Sequence, residues 1–327
     1  MIWLSEKDLK KLLEYSEAIA AVREAYKAFS NKQSITPLRT PIAVKKHQGV
    51  SLFMPAHLED YTGLKIVSVY PDNHKQDLPT ILGIIAILDA STGKPLAIMD
   101  ATYLTGLRTG AASGVATDIL ALPSAKNMTI IGAGSQAIHQ IKAILTVRKI
   151  QTVFIYDLEQ DKARQLAEEL TLEYPTQFLV IKTPEEGVHK SEIVTTVTTS
   201  IKPVFSHEAI LPGTHINAIG GFTPEMQEIP EAIVTTSQIF VDSIDAVLKE
   251  AGDIIKPINN NLLIKESLTE IGEVISGLKS GRKSEEEITL FKSVGLAVQD
   301  IAVAGRITNK ALASNTGVKL DPSIAHD

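Results

Sequence analysis

The run Met128-Thr129-Ile130-Ile131-Gly132-Ala133-Gly134-Ser135-Gln136-Ala137 joins a short apolar strand to a helix through small residues spaced GxGxxA. In that spacing Gly132 permits a tight turn, Gly134 has no Cβ to hold the backbone away from a pyrophosphate, and Ala137 lets the helix lie close to its sheet. Ser135 and Gln136 fall at the helix N-terminus, where unpaired N–H groups receive phosphate oxygens. A second apolar strand, Thr152-Val153-Phe154-Ile155-Tyr156, ends at Asp157, placed as an acid that accepts bonds from an adenosine ribose. Asp157 would repel a 2′-phosphate, and Leu158, Glu159 and Gln160 offer no cation to attract one. NAD(H) is therefore the expected cofactor, with Lys162 and Arg164 near enough to keep NADP(H) possible.

Three cations stand outside any charge run: Arg39 in Leu38-Arg39-Thr40, Lys65 in Leu64-Lys65-Ile66 and Arg108 in Leu107-Arg108-Thr109. Spacing alone leaves each as readily a surface charge as a ligand for an anion. On a strand, Lys65 shares a face with Val67 and Val69, so it either points inward or decorates an edge. Thr80 either bonds a substrate or is a turn hydroxyl. Thr109 and Ser113, read at the start of a helix, either contact cofactor phosphates or cap that helix. Thr195, Thr196, Thr198 and Thr199 cluster at the C-terminal end of a strand, where a doubly wound sheet places its ligand, or else express β propensity. Glu59 and Asp60 precede Lys65 closely and are either a proton source or solvated acids. His47, His57, His74, His139, His189, His207, His215 and His326 show neither H-x-x-E-H nor H-E-x-x-H spacing, and no metal site is expected.

The elements that must position these residues change character along the chain. Residues 16–29 read as a Ser16-capped amphipathic helix with Ile19, Val22, Tyr26 and Phe29 on one face. From about residue 38 to 100, strands over 64–70, 82–89 and 95–100 are punctuated by the turn Ser91-Thr92-Gly93, which predicts a sheet with a hairpin. A helix over 105–122 leads into the glycine loop, after which strands near 178–181, 192–198, 214–219 and 238–242 alternate with helical stretches. A last helix is expected from Ser284 to about Asn309, opening on Glu285, Glu286 and Glu287, with an apolar face returning the chain to its first domain. The tail from Ser314 is expected to be loose.

Length and composition agree with this plan. A chain of 327 residues with 44% hydrophobic content suggests two packed domains. It has no Cys, which excludes disulfides, thiolate zinc sites, iron–sulfur ligation and a cysteine nucleophile, and is compatible with the cytoplasm. Charges recur every few residues near the N-terminus, and nowhere do apolar residues run far enough to span a bilayer, so neither a signal peptide nor a membrane partner is expected. A net charge of -6 without a long basic block argues against nucleic acid.

Leu104-Thr105-Gly106-Leu107-Arg108-Thr109-Gly110-Ala111-Ala112-Ser113-Gly114, read with Phe291-Lys292-Ser293-Val294-Gly295-Leu296-Ala297-Val298-Gln299-Asp300, resembles the ornithine cyclodeaminase/mu-crystallin family. Phe53-Met54-Pro55-Ala56, Gly63-Leu64-Lys65, Met99-Asp100-Ala101 and Val241-Asp242-Ser243 with Glu250-Ala251-Gly252-Asp253 support it, so the resemblance covers nearly the whole chain. It implies an α/β protein in which a Rossmann-type doubly wound parallel sheet, residues 116–299, is inserted into an α+β substrate-binding and dimerisation domain of residues 1–115 with 300–327. It also implies a homodimer and nicotinamide chemistry on imino or amino acids. The family includes cyclodeaminases, alanine dehydrogenases, ketimine and pyrroline-2-carboxylate reductases, and a lens protein that binds thyroid hormone.

By the same resemblance Arg39, Lys65 and Arg108 hold the substrate carboxylate, with Thr80 a weaker contact. Thr109, Gly132, Gly134, Ser135, Gln136, Ala137, Asp157, Thr196, Thr198, Gly220 and Val294 are the expected cofactor contacts. Arginine suits a bidentate carboxylate bond and lysine a point-charge contact. In the cyclodeaminases and archaeal alanine dehydrogenases, what resembles the turn Gly220-Gly221-Phe222-Thr223-Pro224-Glu225-Met226 carries an aspartate for acid–base steps; here Phe222 stands in that place. Cyclisation of ornithine and oxidation of alanine profit from a positioned base, whereas reduction of a preformed cyclic imine asks for less. The expected activity is therefore reduction of a small cyclic ketimine acid, Δ1-pyrroline-2-carboxylate to L-proline above others. The alternatives are a cyclodeaminase or alanine dehydrogenase whose acid has moved, to Glu225 for instance, and a mu-crystallin-like binding protein.

Overall fold

The computed structural model of the chain describes residues 1–320 and divides it into two compact units, residues 1–108 with 296–320 and residues 109–295. The first unit opens with β1 (Ile2–Leu4), α1 (Glu6–Leu12) and α2 (Tyr15–Ser30). Strands β2 (Ser34–Ile35), β3 (Thr40–Val44), β4 (Gly49–Leu58), β5 (Tyr61–Val69), β6 (Ile81–Asp89) and β7 (Pro95–Asp100) follow, and α3 (Ala101–Leu120) carries the chain into the second unit. Among the described residues the strands form one mixed sheet, β2-β4-β5-β6-β7-β1-β16, with β3 also on β4; β16 is the late strand Val318–Lys319. The β6–β7 hairpin turns where expected, with Asp89 Oδ1 accepting the N–H groups of Ser91 and Thr92 at 3.0 and 2.9 Å and Gly93 at φ +71°.

The second unit alternates strand and helix: β8 (Asn127–Ile131), α4 (Ala137–Val147), β9 (Thr152–Tyr156), α5 (Gln160–Thr171), β10 (Gln177–Val180), α6 (Pro184–Val188), β11 (Ile193–Thr196) and β12 (His215–Ala218). It closes with α7 (Glu231–Thr236), β13 (Gln238–Val241), α8 (Ile244–Glu250), α9 (Gly252–Asn259), β14 (Leu268–Glu270), α10 (Ile271–Ile275) and β15 (Thr289–Lys292). All strand pairs in this sheet are parallel, in the order β10-β9-β8-β11-β12-β15-β13-β14. Strand order reverses between β8 and β11, so the carboxyl ends of those strands bound the crevice in which such sheets take a ligand.

Four sequence expectations are corrected. The helix expected from Ser284 begins only at α11 (Ala297–Ser314). Thr289, Leu290 and Phe291 are β-favouring residues, wholly buried between β12 and β13, and Gly295 at φ +85° separates that strand from the helix. Tertiary burial overrode the Ser-plus-acids signal. Helix α2 is capped by Glu14, not Ser16, through a capping box with Glu17. Helix α3 starts at Ala101, its first turn held by Asp100 Oδ1 accepting the Tyr103 N–H at 3.0 Å, so Thr109 and Ser113 lie in its interior and cap nothing. The chain beyond Ser314 is not wholly loose: Trp3 and Ile2 pair with Val318 and Lys319. His326 lies outside the described residues.

In the first unit α11 packs on β4, β5 and β6 and on α2, burying Ile301, Ala304, Thr308 and Ala311. Gly305 lets the Tyr61 ring approach, since a Cβ there would stand 2.6 Å from it. The sheet register fixes which strand residues meet α11. Met54, Lys65, Ile85, Met99 and Leu4 form one cross-strand row, and each of these side chains is buried. Cross-strand neighbours share a face, so Lys65 points inward from a central strand.

Candidate active site

Lys65 enters that apolar row because a partner waits on α11. Its Nζ lies 2.8 Å from Asp300 Oδ2, and Arg108 Nε lies 3.0 Å from Asp300 Oδ1. Arg108 also donates to Gln299 Oε1 at 3.1 Å. The same oxygen accepts the Leu296 N–H at 2.7 Å, and Gln299 Nε2 donates to the Tyr26 hydroxyl at 2.5 Å. Two buried cations therefore share one buried carboxylate, leaving one positive charge uncompensated by this group. Burial first, then Arg108, lowers Lys65 to about 8 against the raising effect of Asp300. Such a group favours an anion bound beside it, since an unpaired buried charge is costly. Arg39 precedes β3 and is half-buried; its charge also bears on Lys65.

In the second unit, Gly132 adopts φ +102° at the end of β8, and a Cβ there would meet the Val197 carbonyl at 2.8 Å. Gly134 is different: nothing lies within 4 Å of an added Cβ, which leaves the open approach a pyrophosphate needs. Asp157 is tied to this loop, its Oδ2 accepting the Ala133 N–H at 2.7 Å and its Oδ1 the Glu159 N–H at 2.8 Å. Ala137 is buried in the first turn of α4, while Ser135 is exposed just before it. The hydroxyls of Thr195 and Thr196 and the side-chain oxygen of Gln136 are buried without a hydrogen-bond partner. Orphaned polar atoms, an open glycine and an anchored acid around the strand-order reversal fit a dinucleotide. Lys162 and Arg164 are engaged with Glu159 and Asp161 at 2.6 and 2.5 Å.

Carboxylates that sequence reasoning did not single out brace the neighbouring strand ends. Glu228 Oε1 accepts the Thr198 N–H at 2.6 Å, and Oε2 accepts those of Gly220 and Gly221 at 2.7 and 3.0 Å. Burial pushes Glu228 up, against the lowering effect of Lys292. Asp242 Oδ2 accepts the Ser293 hydroxyl and the Val294 and Gly295 N–H groups at 2.7, 2.9 and 2.7 Å. Burial pushes it up too, opposed by these bonds. Lys292 Nζ and Asp253 Oδ2 form a wholly buried pair at 2.9 Å. The N–H groups of Thr198, Gly220 and Val294 are therefore spent within the protein, and any contact they make with a cofactor uses other atoms. The family motifs Val241-Asp242-Ser243 and Glu250-Ala251-Gly252-Asp253 contain two of these acids; Glu228 carries no local signal.

The remaining candidates separate by position. Phe222 is half-buried in its turn, while Glu225 is exposed, with its carboxyl held below the usual range mainly by a backbone hydrogen bond. Thr80 stands before β6, its carbonyl accepting the Tyr70 N–H at 2.9 Å, five ladder positions from Ile85, the partner of Lys65. Glu59 and Asp60 form the exposed β4–β5 turn. Thr109 and Ser113 are buried, and the Ser113 hydroxyl has no partner. His215 is a core histidine, bonded to Thr289 and Asn217 at 2.9 and 3.1 Å and pushed down to about 3 by burial. Among the described residues no three His, Asp or Glu side chains form a metal cage, and no helix is long and apolar enough to cross a membrane.

This pairing of a Rossmann-type sheet with a cationic site on a mixed sheet defines a class of nicotinamide-binding proteins acting on small acids. The chain matches the ornithine cyclodeaminase/mu-crystallin family over residues 2–315 and belongs to it. A Δ1-pyrroline-2-carboxylate reductase of Bacillus cereus is 40% identical over 325 residues, covering 98% of this chain and 100% of its own. The structure of Thermococcus litoralis Δ1-pyrroline-2-carboxylate reductase in complex with NADH and L-proline matches at 40% identity with a TM-score of 0.94, covering 98% of this chain and 100% of that one. An archaeal alanine dehydrogenase dimer with bound NAD matches at 36% identity and a TM-score of 0.93, covering 98% and 99%.

Proposed function

We propose that this chain is an NADH-dependent reductase of a small cyclic ketimine acid, converting Δ1-pyrroline-2-carboxylate to L-proline. The observation that carries the reading is the buried Lys65–Asp300–Arg108 group with its surplus positive charge. Lys65 and Arg108, with Arg39 beside them, hold the substrate carboxylate and so fix the imine carbon next to it. Thr80, five ladder positions away, is the weakest of the proposed substrate contacts. Phe222 gives the ring an apolar wall and no base, which suits reduction and disfavours cyclodeamination.

When bound, NADH supplies a hydride to the imine carbon; the nitrogen takes one proton, which arrives with the iminium form of the substrate. Gly132, Gly134, Ser135, Gln136 and Ala137 hold the pyrophosphate, Asp157 the adenosine ribose, and Thr109, Thr196, Thr198, Gly220 and Val294 complete the cofactor site. Asp157 with paired Lys162 and Arg164 favours NADH over NADPH. The outer face of the mixed sheet, where Ile42, Leu82 and Ile84 are exposed, joins two copies in a homodimer, and the enzyme works in the cytoplasm.

The test offers purified protein NADH or NADPH with Δ1-pyrroline-2-carboxylate, ornithine, or pyruvate plus ammonia, and follows the absorbance of the reduced cofactor. Oxidation of NADH fastest with the cyclic imine is expected. Release of ammonia from ornithine at a comparable rate would overturn the reading, and so would a kcat/KM for NADPH above that for NADH as regards the cofactor.

A further inference from the structure

The reduction just described has no use for Glu228, yet its carboxylate is buried and each oxygen is committed. Thr198 lies just past β11, and Gly220 and Gly221 just past β12, strands that pair in register with Thr196 opposite Ala218. One side chain thus ties the ends of two neighbouring strands together. Because Glu228 also follows the 220–227 turn, it closes that turn on its own first residues. The far end is pinned in its turn: the Glu228 and Ile229 N–H groups donate to Asp253 Oδ1 at 2.7 and 2.9 Å, and Asp253 is paired with Lys292. The Gln227 N–H donates to the Ser200 carbonyl at 2.9 Å, and the Val204 N–H to that of Glu228 at 2.9 Å.

Close packing leaves no room for a side chain at either glycine. A Cβ on Gly220 would stand 2.1 Å from the Thr198 carbonyl oxygen and 2.6 Å from Glu228 Oε1, and one on Gly221 would stand 2.9 Å from Asp253 Oδ2. The donor pattern also selects for charge. Three backbone N–H groups converge on a group that only accepts, as an ionised carboxylate does and an amide does not. A glutamine here would aim its NH2 at one or more of those donors.

We propose that Glu228 is a positioning residue: its carboxylate sets the conformation of the 220–226 turn and thereby that of Phe222, the residue proposed above to contact the substrate. The role of Phe222 rests on the function proposed above, while the clasp itself rests on this unit alone. Glu228 is not a base, since both of its oxygens accept backbone N–H groups in the folded protein.

The test compares full-length Glu228→Gln, Glu228→Asp and Phe222→Ala with the natural protein. Amide hydrogen exchange is read over residues 196–226 and, as an internal control, over residues 128–140. Glu228→Gln should speed exchange over 196–226 by roughly tenfold or more and leave 128–140 unchanged. NADH binding, read by its fluorescence, should weaken as well, because Thr198 and Gly220 are proposed cofactor contacts, and KM for Δ1-pyrroline-2-carboxylate at saturating NADH should rise by roughly tenfold. Glu228→Asp keeps an acceptor-only group and should recover part of these effects; if the glutamine variant fails to fold, the aspartate variant is read against the same expectations. Phe222→Ala should raise the same KM without changing exchange. Unchanged exchange in the Glu228 variants would overturn the clasp and leave the function reading intact. Faster exchange with an unchanged KM in both Glu228→Gln and Phe222→Ala would instead overturn the role of Phe222.

Discussion

Asp300 gives one oxygen to Lys65 and the other to Arg108, so the two cations are aimed before any substrate arrives. In the proposed reaction the substrate carboxylate keeps its charge through hydride transfer, so if these cations hold it, loss of either should appear first in KM. Arg108→Met is expected to raise KM for the imine by the equivalent of about 2 to 5 kcal/mol; an unchanged KM would remove Arg108 from the site. Lys65 makes a pH prediction. A lysine lowered on folding costs stability while charged, so its penalty is complete below about 8 and is relieved as pH rises from there toward the ordinary 10.5. Carboxylate binding runs the other way, because it needs the charged form. Affinity for pyrrole-2-carboxylate, which has no basic nitrogen, should fall as pH rises through about 8, and Lys65→Met should lose that dependence. At Phe222, an aspartate would put a charge into the apolar wall proposed for the substrate ring. Phe222→Asp should lower kcat/KM for imine reduction by at least roughly tenfold while yielding only trace ammonia from ornithine, since a base alone does not position the δ-amine.

The β8–α4 connection shows how an element sets the requirements of its residues. Gly132 needs its positive φ and has the Val197 carbonyl where a Cβ would go, whereas Gly134 has free space. The two glycines should therefore fail differently. Gly132→Ala is expected to lower stability by about 1 to 3 kcal/mol, seen as a lower Tm without cofactor. Gly134→Ala should melt like the natural protein and bind NADH more weakly, by on the order of tenfold. Equal Tm losses in both would mean that Gly134 serves packing and not the pyrophosphate. Helix α3 is governed by close approach too: a Cβ on Gly110 would stand 2.3 Å from the His139 carbonyl on α4.

At the scale of the whole molecule, α11 covers one face of the mixed sheet at β4, β5 and β6, with α2 packed on α11. The other face of the sheet presents Ile42, Leu82 and Ile84, more than a third exposed at 52%, 41% and 41%, with half-buried Phe53, Leu64 and Ile66 beside them. Under the homodimer proposed above, this contiguous apolar face is the expected interface. Ile84→Asp should shift the protein from the proposed dimer toward monomer in light scattering after gel filtration, with a lower Tm that loses its dependence on protein concentration. A dimer unaffected by the change would place the interface elsewhere.

Local chemistry made half of this molecule legible. The glycine spacing, Asp157, the Ser91-Thr92-Gly93 turn and the β-rich strands each declare themselves within a few residues, because turn geometry and side-chain periodicity are short-range. The family motifs added Arg39, Lys65 and Arg108 and the replacement of an acid by Phe222. Lys65 could not be oriented from its own strand; the register with Met54 and Ile85 turned it inward, and only α11 brought Asp300 to it. Strand β15 was misread as helix because its slot between β12 and β13 is a property of the sheet and not of Thr289-Leu290-Phe291-Lys292. Glu228 likewise looks like an ordinary acid in the chain, and the family motifs that contain Asp242 and Asp253 do not show what those carboxylates hold. Their work depends on parallel strands ending side by side, and that adjacency exists only once the sheet has assembled.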